Sequence, residues 1–248
     1  MQRNHVKFAL PSIVTFGNLL CGFLAVANVI KGTPEGLISA AWWIIIAAIL
    51  DALDGKVARL TGTSSEFGIE LDSIADVVSF GLAPAALVYR YAFIGEGQTG
   101  LALGFLFLAA GAFRLARFNV SATTGSKTHF TGMPIPSAAG ILAAFVLFSE
   151  NVWSGLARFD FAAALIVFTS FAMMSRFRYV TLPRVSFRTP KSTVTSVLFL
   201  GNVALVAFFP DEVFLPEGLI YLLSGPFRYL SAPAFHQGIH RTDNSGIK

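Results

Sequence analysis

Apolar stretches long enough to form spanning helices, separated by short polar segments, follow one another along almost the whole chain. A helix needs roughly 17–25 predominantly apolar residues to cross the hydrocarbon core of a bilayer. Stretches of that length lie near residues 11–30, 36–53, 71–93, 99–118, 134–150, 159–175, 193–209 and 212–230. The pattern therefore predicts an all-α, polytopic membrane helix bundle with eight spanning helices, the last two separated only by Pro210 and Asp211.

The distribution of basic residues supports this map and gives it an orientation. With both termini placed in the cytosol, 15 of the 18 Lys and Arg residues fall on the cytosolic side. The opposite side holds only Lys31, Arg90 and Arg158. This asymmetry agrees with the positive-inside rule. The net charge of +4 is thus spread by topology rather than gathered in one patch, so we expect no nucleic-acid partner.

The composition points to a single membrane unit. Only 13% of the residues are charged and 54% are hydrophobic, whereas an ordinary soluble domain carries about 25% charged residues. The single Cys21 excludes an intramolecular disulfide and provides no zinc cluster. We expect one integral membrane domain over residues 1–230, followed by a polar, mobile cytosolic tail over residues 231–248.

Four carboxylates interrupt the apolar pattern. Asp51 and Asp54 follow the apolar run 40–50, and Asp72 and Asp76 precede another that begins at Val77. A charged side chain in or near hydrocarbon costs about 3 kcal/mol or more unless it finds a partner or faces a cavity. We therefore take the four acids as the candidate functional site.

Helical spacing sharpens this interpretation, because it places the acids on two stripes. One stripe consists of Asp51, Asp54, Gly55, Ala58 and Arg59, and the other of Gly68, Asp72 and Asp76. Two facing helices would bring four acids together, and their mutual repulsion is usually relieved by divalent cations. Hard oxygen ligands suit Mg²⁺ or Mn²⁺ and argue against zinc.

The segment 51–76 resembles the signature of the CDP-alcohol phosphatidyltransferases, D-x2-D-G-x2-A-R-x8-G-x3-D-x3-D. All eight defining positions match at the expected spacing. The resemblance implies a core of six transmembrane helices, here with about two further C-terminal helices, and often a homodimer. It also implies that the membrane domain transfers a phosphatidyl-type group from a CDP-linked lipid to an alcohol, with release of CMP and the help of divalent metal ions.

The resemblance further implies a role for each motif residue. Asp51, Asp54 and Asp72 would be metal ligands, and Asp76 would be both a ligand and the general base that deprotonates the attacking hydroxyl. The pocket for the CDP moiety would be lined by Gly55, Ala58, Arg59 and Gly68. The chemistry explains these residue types, because a two-ion site held by carboxylates can neutralise a diphosphate and stabilise the leaving CMP.

Three further segments are similar to bacterial-type phosphatidylserine synthases, namely residues 11–22, 114–119 and 130–136. The implied donor is CDP-diacylglycerol, the acceptor is L-serine, and the site faces the cytosol from the cytoplasmic membrane. Arg114 and Arg117 offer forked donors that suit the carboxylate of serine. They could equally bind lipid phosphates or act only as topological anchors.

Two other functions remain open from the residues. The acceptor within the same family could be glycerol-3-phosphate, inositol phosphate or another alcohol. A cation transporter could use the four acids as an ion relay, but the outer part of the second helix, such as 41–49, is apolar and offers no polar path.

Thr15 and Asn18 are polar positions inside the first apolar stretch, roughly one turn apart. Polar side chains at such positions commonly form hydrogen bonds between helices. Contact with the donor lipid is the functional alternative.

Overall fold

The computed structural model describes residues 5–61, 66–123, 132–155, 159–177, 179 and 190–231. Within these ranges the regular secondary structure is helical, with no strand, which confirms the all-α prediction. The predicted tail 231–248 lies outside the described residues except for Ser231.

The helical segments follow the order of the eight predicted ones. The third predicted segment is one continuous helical rod, in which two π-helical stretches, π1 and π2, alternate with α-helix. In chain order the elements are α1 (His5–Lys31), α2 (Pro34–Thr61), α3 (Glu66–Asp76), π1 (Val77–Leu82), α4 (Ala83–Val88), π2 (Tyr89–Phe93), α5 (Gly97–Thr123), α6 (Ile135–Asn151), α7 (Phe159–Met174), α8 (Pro190–Phe208) and α9 (Pro210–Ser231).

Four segments of the described chain are long and apolar enough to cross a membrane: Ile13–Lys31, Pro34–Gly55, Phe67–Phe93 and Gly97–Val120. The apolar helices α6 and α7 are shorter. At 17 residues, α6 is about 25 Å long, which is near the lower limit for a spanning helix. The chain is therefore an integral membrane protein.

The centre of the bundle is α6, which packs against α2, α4, π1, α7 and α9. Its buried positions lie all around the helix and include Leu142, Phe145 and Val146, none of which has any exposed surface. A helix that is apolar on every side is stable only where other helices surround it. The other elements are therefore arranged around α6.

The helices α2 and α3 extend further towards each other than the hydropathy pattern predicts. The second predicted stretch ended at residue 53, but α2 continues to Thr61, and α3 already begins at Glu66. The predicted connection 54–70 is therefore too long. Hydropathy marks where a chain leaves the hydrocarbon, whereas a helix continues as long as its residues favour it, and Lys56, Ala58, Arg59 and Leu60 are good helix formers.

Close approach of α1 to π1 depends on a glycine. A Cβ atom at Gly22 would lie 2.8 Å from the Cα of Ser79, closer than real Cβ contacts come. The neighbour is backbone, so it cannot move aside as the end of a flexible side chain could. Gly22 thus sets the distance between the first helix and the rod that carries Asp72 and Asp76.

The substitution Gly22→Ala should lower the free energy of unfolding by about 1–3 kcal/mol, because overpacking forces the backbone to shift. Thermal unfolding in detergent measures the change. Gly201→Ala on α8 is the matched control, since a Cβ there meets nothing within 4 Å. That control should lose no stability, and equal melting temperatures for the two variants would contradict the prediction.

Candidate active site

The four motif acids lie on two helices that meet α1. Asp51 and Asp54 belong to the C-terminal part of α2, and Asp72 and Asp76 belong to α3, with π1 starting at the next residue. The first helix packs against α2, α3 and π1. The helix α1 therefore lies beside both pairs of acids.

Three of the acids form a tight cluster. Each of Asp51, Asp72 and Asp76 offers a carboxylate oxygen, and these oxygens lie within 4.8 Å of one another. Asp51 and Asp72 are half-buried, whereas Asp76 is only 7% exposed. Three carboxylates at this distance repel each other strongly, and the repulsion grows where water is excluded. A bound cation is the common means of stabilising such a group.

Asp54 lies beside this cluster rather than within it. It is 7% exposed, and its Oδ2 accepts a hydrogen bond of 2.5 Å from the Thr15 hydroxyl. Its Oδ1 is buried and has no hydrogen-bond partner. The expectation that all four acids meet at one point thus holds for three of them, because the side chain of Asp54 is directed to α1.

Asp76 also has a partner on α1. The side-chain amide of Asn18 donates to Asp76 Oδ1 over 3.1 Å, and both residues are buried. Asn18 in turn has its backbone carbonyl bound by the hydroxyl of Ser79 in π1, at 2.9 Å. Thr15 and Asn18 therefore form the interhelical hydrogen bonds expected of them, and their partners are motif carboxylates, which the sequence pattern did not reveal.

The small motif residues lie next to the acids along each helix. Gly55 is exposed and follows Asp54 directly, and Gly68 is half-buried, one turn before Asp72. Ala58 and Arg59 belong to α2, and the structure describes their backbone but not their side chains. A role of these residues in binding a CDP moiety is a prediction.

Arg114 is a cation that interacts with two of the clustered acids. It lies on α5, is partly buried, and interacts electrostatically with Asp76 and Asp51. Its Nε is buried without a hydrogen-bond partner. A guanidinium with an unsatisfied buried donor is a suitable partner for a further anionic oxygen.

Arg117 is held by the end of another helix. Its Nη1 donates to the carbonyl of Met174 at 3.0 Å, and its Nη2 lies 3.4 Å from the carbonyls of Met173 and Ser175. Basic side chains stabilise helix C-termini through such bonds. These contacts give Arg117 a structural task, so its guanidinium is less available for a substrate than that of Arg114.

The turn that enters α6 lies against the same helix end. Gly132 has a φ of +88°, and a Cβ there would lie 2.5 Å from the carbonyl oxygen of Met173. The amides of Gly132 and Met133 donate to the carbonyls of Phe177 and Ala172. This turn is therefore a structural elbow, and glycine is required because the backbone is left-handed and closely packed.

The donor set fits a hard divalent cation. The cluster supplies carboxylate oxygens only. Asp54, whose buried Oδ1 has no hydrogen-bond partner, interacts electrostatically with Asp51 and Asp72. Within the part of the chain that the structure describes, Asp51, Asp72 and Asp76 are the residues grouped closely enough to hold an ion. Oxygen ligands of this kind suit Mg²⁺, Mn²⁺ or Ca²⁺ better than zinc.

Asp72→Asn should lower the affinity for Mn²⁺ by at least tenfold, because it removes one of three clustered carboxylates. Electron paramagnetic resonance of free Mn²⁺, titrated with purified protein, measures the affinity without any substrate. Asp160→Asn is the matched control, since Asp160 is exposed at the start of α7 and lies outside the cluster. Unchanged Mn²⁺ affinity in folded Asp72→Asn would contradict the assignment.

Comparison with known proteins agrees with this geometry. Residues 8–174 match the family model described as CDP-alcohol phosphatidyltransferase. The matched region contains all four acids and ends at the last residue of α7. The helices α8 and α9 lie beyond it.

Several named relatives match more than half of the chain. A CDP-diacylglycerol–serine O-phosphatidyltransferase of Helicobacter pylori is 35% identical over 225 residues, which is 90% of this chain and 92% of that protein. The enzyme of the same name from Methanocaldococcus jannaschii is 41% identical over 138 residues, covering 56% of this chain and 63% of the relative. An archaetidylserine synthase of Methanothermobacter thermautotrophicus is 37% identical over 179 residues, covering 71% and 70%.

Proposed function

This chain belongs to the CDP-alcohol phosphatidyltransferase family, and on that basis we propose that it transfers the phosphatidyl group of CDP-diacylglycerol to the hydroxyl of L-serine. The products would be phosphatidylserine and CMP. The substrates are supported by the relatives named CDP-diacylglycerol–serine O-phosphatidyltransferase, of which one is 35% identical over 90% of the chain.

The observation that carries the proposal is the arrangement of the acids. Asp51, Asp72 and Asp76 bring carboxylate oxygens within 4.8 Å of one another, and Asp76 is buried and held by Asn18. Such a cluster costs stability unless it is neutralised, so its presence in an apolar bundle calls for a cationic ligand. A diphosphate donor needs the same cations, because carboxylates alone would repel it.

The residues suggest how the transfer proceeds. The hydroxyl oxygen of serine attacks the phosphorus that carries the diacylglycerol, and the bond from that phosphorus to the oxygen of CMP breaks. Asp76 accepts the hydroxyl proton, since a carboxylate within hydrogen-bond reach of an alcohol can act as general base. The leaving group departs as CMP, and direct attack requires no covalent enzyme intermediate.

Asp51, Asp54, Asp72 and Asp76 would hold the ions, which we propose to be Mg²⁺ or Mn²⁺ in a two-ion site. When bound, the ions would neutralise the diphosphate and polarise its phosphorus. The CDP moiety would lie along Gly55, Ala58, Arg59 and Gly68, as the family resemblance implies. Glycines suit this position because they allow a ligand to approach the backbone.

Arg114 is the residue that we propose to bind the carboxylate of serine. It interacts electrostatically with Asp76, the proposed base, and its buried Nε has no hydrogen-bond partner. An arginine can bind a carboxylate through two parallel hydrogen bonds, which would place the serine hydroxyl near Asp76. Arg117 would support this site from the end of α7.

The site would open to the cytosolic face of the cytoplasmic membrane. The acids lie on both sides of the connection between α2 and α3, and the positive-inside distribution assigns that connection to the cytosol. Serine and CMP are water-soluble and would exchange with the cytosol there, while the lipid tails remain in the bilayer. A homodimer is also part of the proposal, on the family resemblance alone.

Asp76→Asn should reduce serine-dependent CMP release by about 10²–10⁴-fold, which is the usual contribution of a general base. The measurement uses purified protein in liposomes with CDP-diacylglycerol, Mn²⁺ or Mg²⁺ and serine, and follows both CMP and the lipid product. Asp160→Asn is again the control and should keep wild-type activity.

The same assay separates the alternative functions. Turnover with glycerol-3-phosphate or an inositol phosphate instead of serine would keep the family and replace the acceptor. Wild-type rates in Asp76→Asn would remove Asp76 from the mechanism. Absence of CMP release with every alcohol, from folded and metal-loaded protein, would contradict the enzymatic proposal and favour ion transport.

Arg114→Lys should raise the KM for serine by about 10–100-fold, the cost of losing a hydrogen bond to a charged group. The KM for CDP-diacylglycerol should change by less than about threefold. Initial rates over a range of each substrate give both constants. Arg90→Lys is the matched control, because Arg90 binds the carbonyl of Gly32 in another part of the structure. A rise confined to the donor KM would instead assign Arg114 to the lipid phosphates.

A further inference from the structure

Two polar residues of α1 each hold one acid of the site. Thr15 donates to Asp54 over 2.5 Å, and Asn18, three residues later, donates to Asp76 over 3.1 Å. Thr15 is 4% exposed and Asn18 is 1% exposed. Both hydrogen bonds are therefore shielded from water, and both acids are oriented by a helix other than their own.

Each pair leaves an oxygen unused. Asp54 Oδ1 and Asn18 Oδ1 are both buried without a hydrogen-bond partner. Buried polar atoms of native proteins are nearly always satisfied by protein, water or a ligand. Thr15 occupies one oxygen of Asp54 and thereby leaves the other available as a single, directed ligand atom.

The position of α1 along the site is itself determined by close contacts. The hydroxyl of Ser79 donates to the carbonyl of Asn18, and Gly22, one turn later, allows the backbone of Ser79 to approach. Ser79 belongs to π1, which begins directly after Asp76. π-Helical turns within helices are frequently found at functional sites. Here the π-helical turn places Ser79 so that its hydroxyl binds the carbonyl of Asn18, the residue that binds Asp76.

We propose that Thr15 and Asn18 are positioning residues of the metal site. Thr15 would orient Asp54, and Asn18 would orient Asp76, so that their carboxylates present the correct oxygens to the cations. This inference rests on the proposed metal-dependent transfer and adds α1 to its machinery. Hydrogen-bond partners of metal ligands typically contribute about 10–100-fold to metal affinity or activity.

The competing role is purely structural, since interhelical hydrogen bonds of Thr and Asn also stabilise membrane bundles. That role predicts a lower melting temperature without any change in the metal affinity of the folded protein. The two roles are therefore separated by a binding measurement rather than by stability or activity.

The first test compares Thr15→Val with Thr15→Ser. Valine keeps the volume but removes the donor, whereas serine keeps the hydroxyl. Titration of Mn²⁺ without substrate, followed by electron paramagnetic resonance, should show an affinity about 10–100-fold lower for Thr15→Val and within about threefold of wild type for Thr15→Ser. Thr169→Val is the matched control, because the buried Thr169 hydroxyl donates to carbonyls of its own helix, those of Leu165 and Ile166.

The second test removes the amide donor with Asn18→Leu. Mn²⁺ affinity should again fall by at least tenfold, and kcat should fall while the KM values for serine and CDP-diacylglycerol stay within about threefold. Asn28→Leu on the same helix is the control, since Asn28 donates to the carbonyl of Leu24 one turn earlier. Thr15→Ala and Asn18→Ala serve as second variants if the larger apolar side chains prevent folding.

The outcomes separate this inference from the proposed function. Wild-type Mn²⁺ affinity in folded Thr15→Val and Asn18→Leu would overturn the positioning role, whatever the enzymatic activity. Loss of affinity in these variants, with a wild-type protein that does not use serine, would keep the positioning role and overturn the acceptor. A wild-type protein that binds no Mn²⁺ or Mg²⁺ would overturn both.

Discussion

Repulsion among clustered carboxylates is the constraint on which the rest of the structure depends. Asp51, Asp72 and Asp76 have oxygens within 4.8 Å of one another, in a bundle whose surroundings are mostly apolar. Charge is poorly screened there, so the cluster cannot be stable without compensation. The described structure supplies compensation from two directions, through Arg114 on α5 and through the hydrogen bond that Asn18 of α1 donates to Asp76. The buried Asp54 Oδ1, which has no hydrogen-bond partner, is a further oxygen that a hard cation would bind.

The first helix has a larger part in the site than the signature suggests. The eight defining positions of the signature lie on α2 and α3, and α1 packs against both of these helices. Thr15 holds an acid of α2 and Asn18 holds an acid of α3. One helix thus connects the two halves of the motif. The site is consequently sensitive to the packing of α1, which depends on the close contact between Gly22 and Ser79.

The C-terminal helices extend the bundle beyond the region that matches the family model. The helix α9 packs on α6, burying Leu215 and Leu222, and Gly225 admits the ring of Tyr179. Tyr221 of α9 interacts electrostatically with Arg114. Because α6 is apolar on every side, a helix at this position is needed to cover it. The helix α9 thus places the polar Tyr221 near Arg114, the residue that we propose to bind the carboxylate of serine.

Much of this molecule was determined by the sequence alone. Long apolar stretches can be satisfied only by helices in a bilayer, so hydropathy predicted the number and order of the helical segments among the residues that the structure describes. The spacing 51–54–72–76 predicted two acidic stripes, because helical periodicity is local. Helix ends were less well predicted, as α2 shows by continuing to Thr61, since leaving the hydrocarbon does not end a helix.

Tertiary structure alone decided which polar groups meet. The sequence placed four acids together, but Asp54 is directed to Thr15, 39 residues away along the chain. From the sequence, Arg114 and Arg117 were equivalent candidates. In the structure, Arg117 binds the end of α7, while Arg114 interacts with the acids. These differences arise from the packing of helices that are distant in sequence. No local pattern encodes that packing, because each hydrogen bond depends on the relative rotation and depth of two helices.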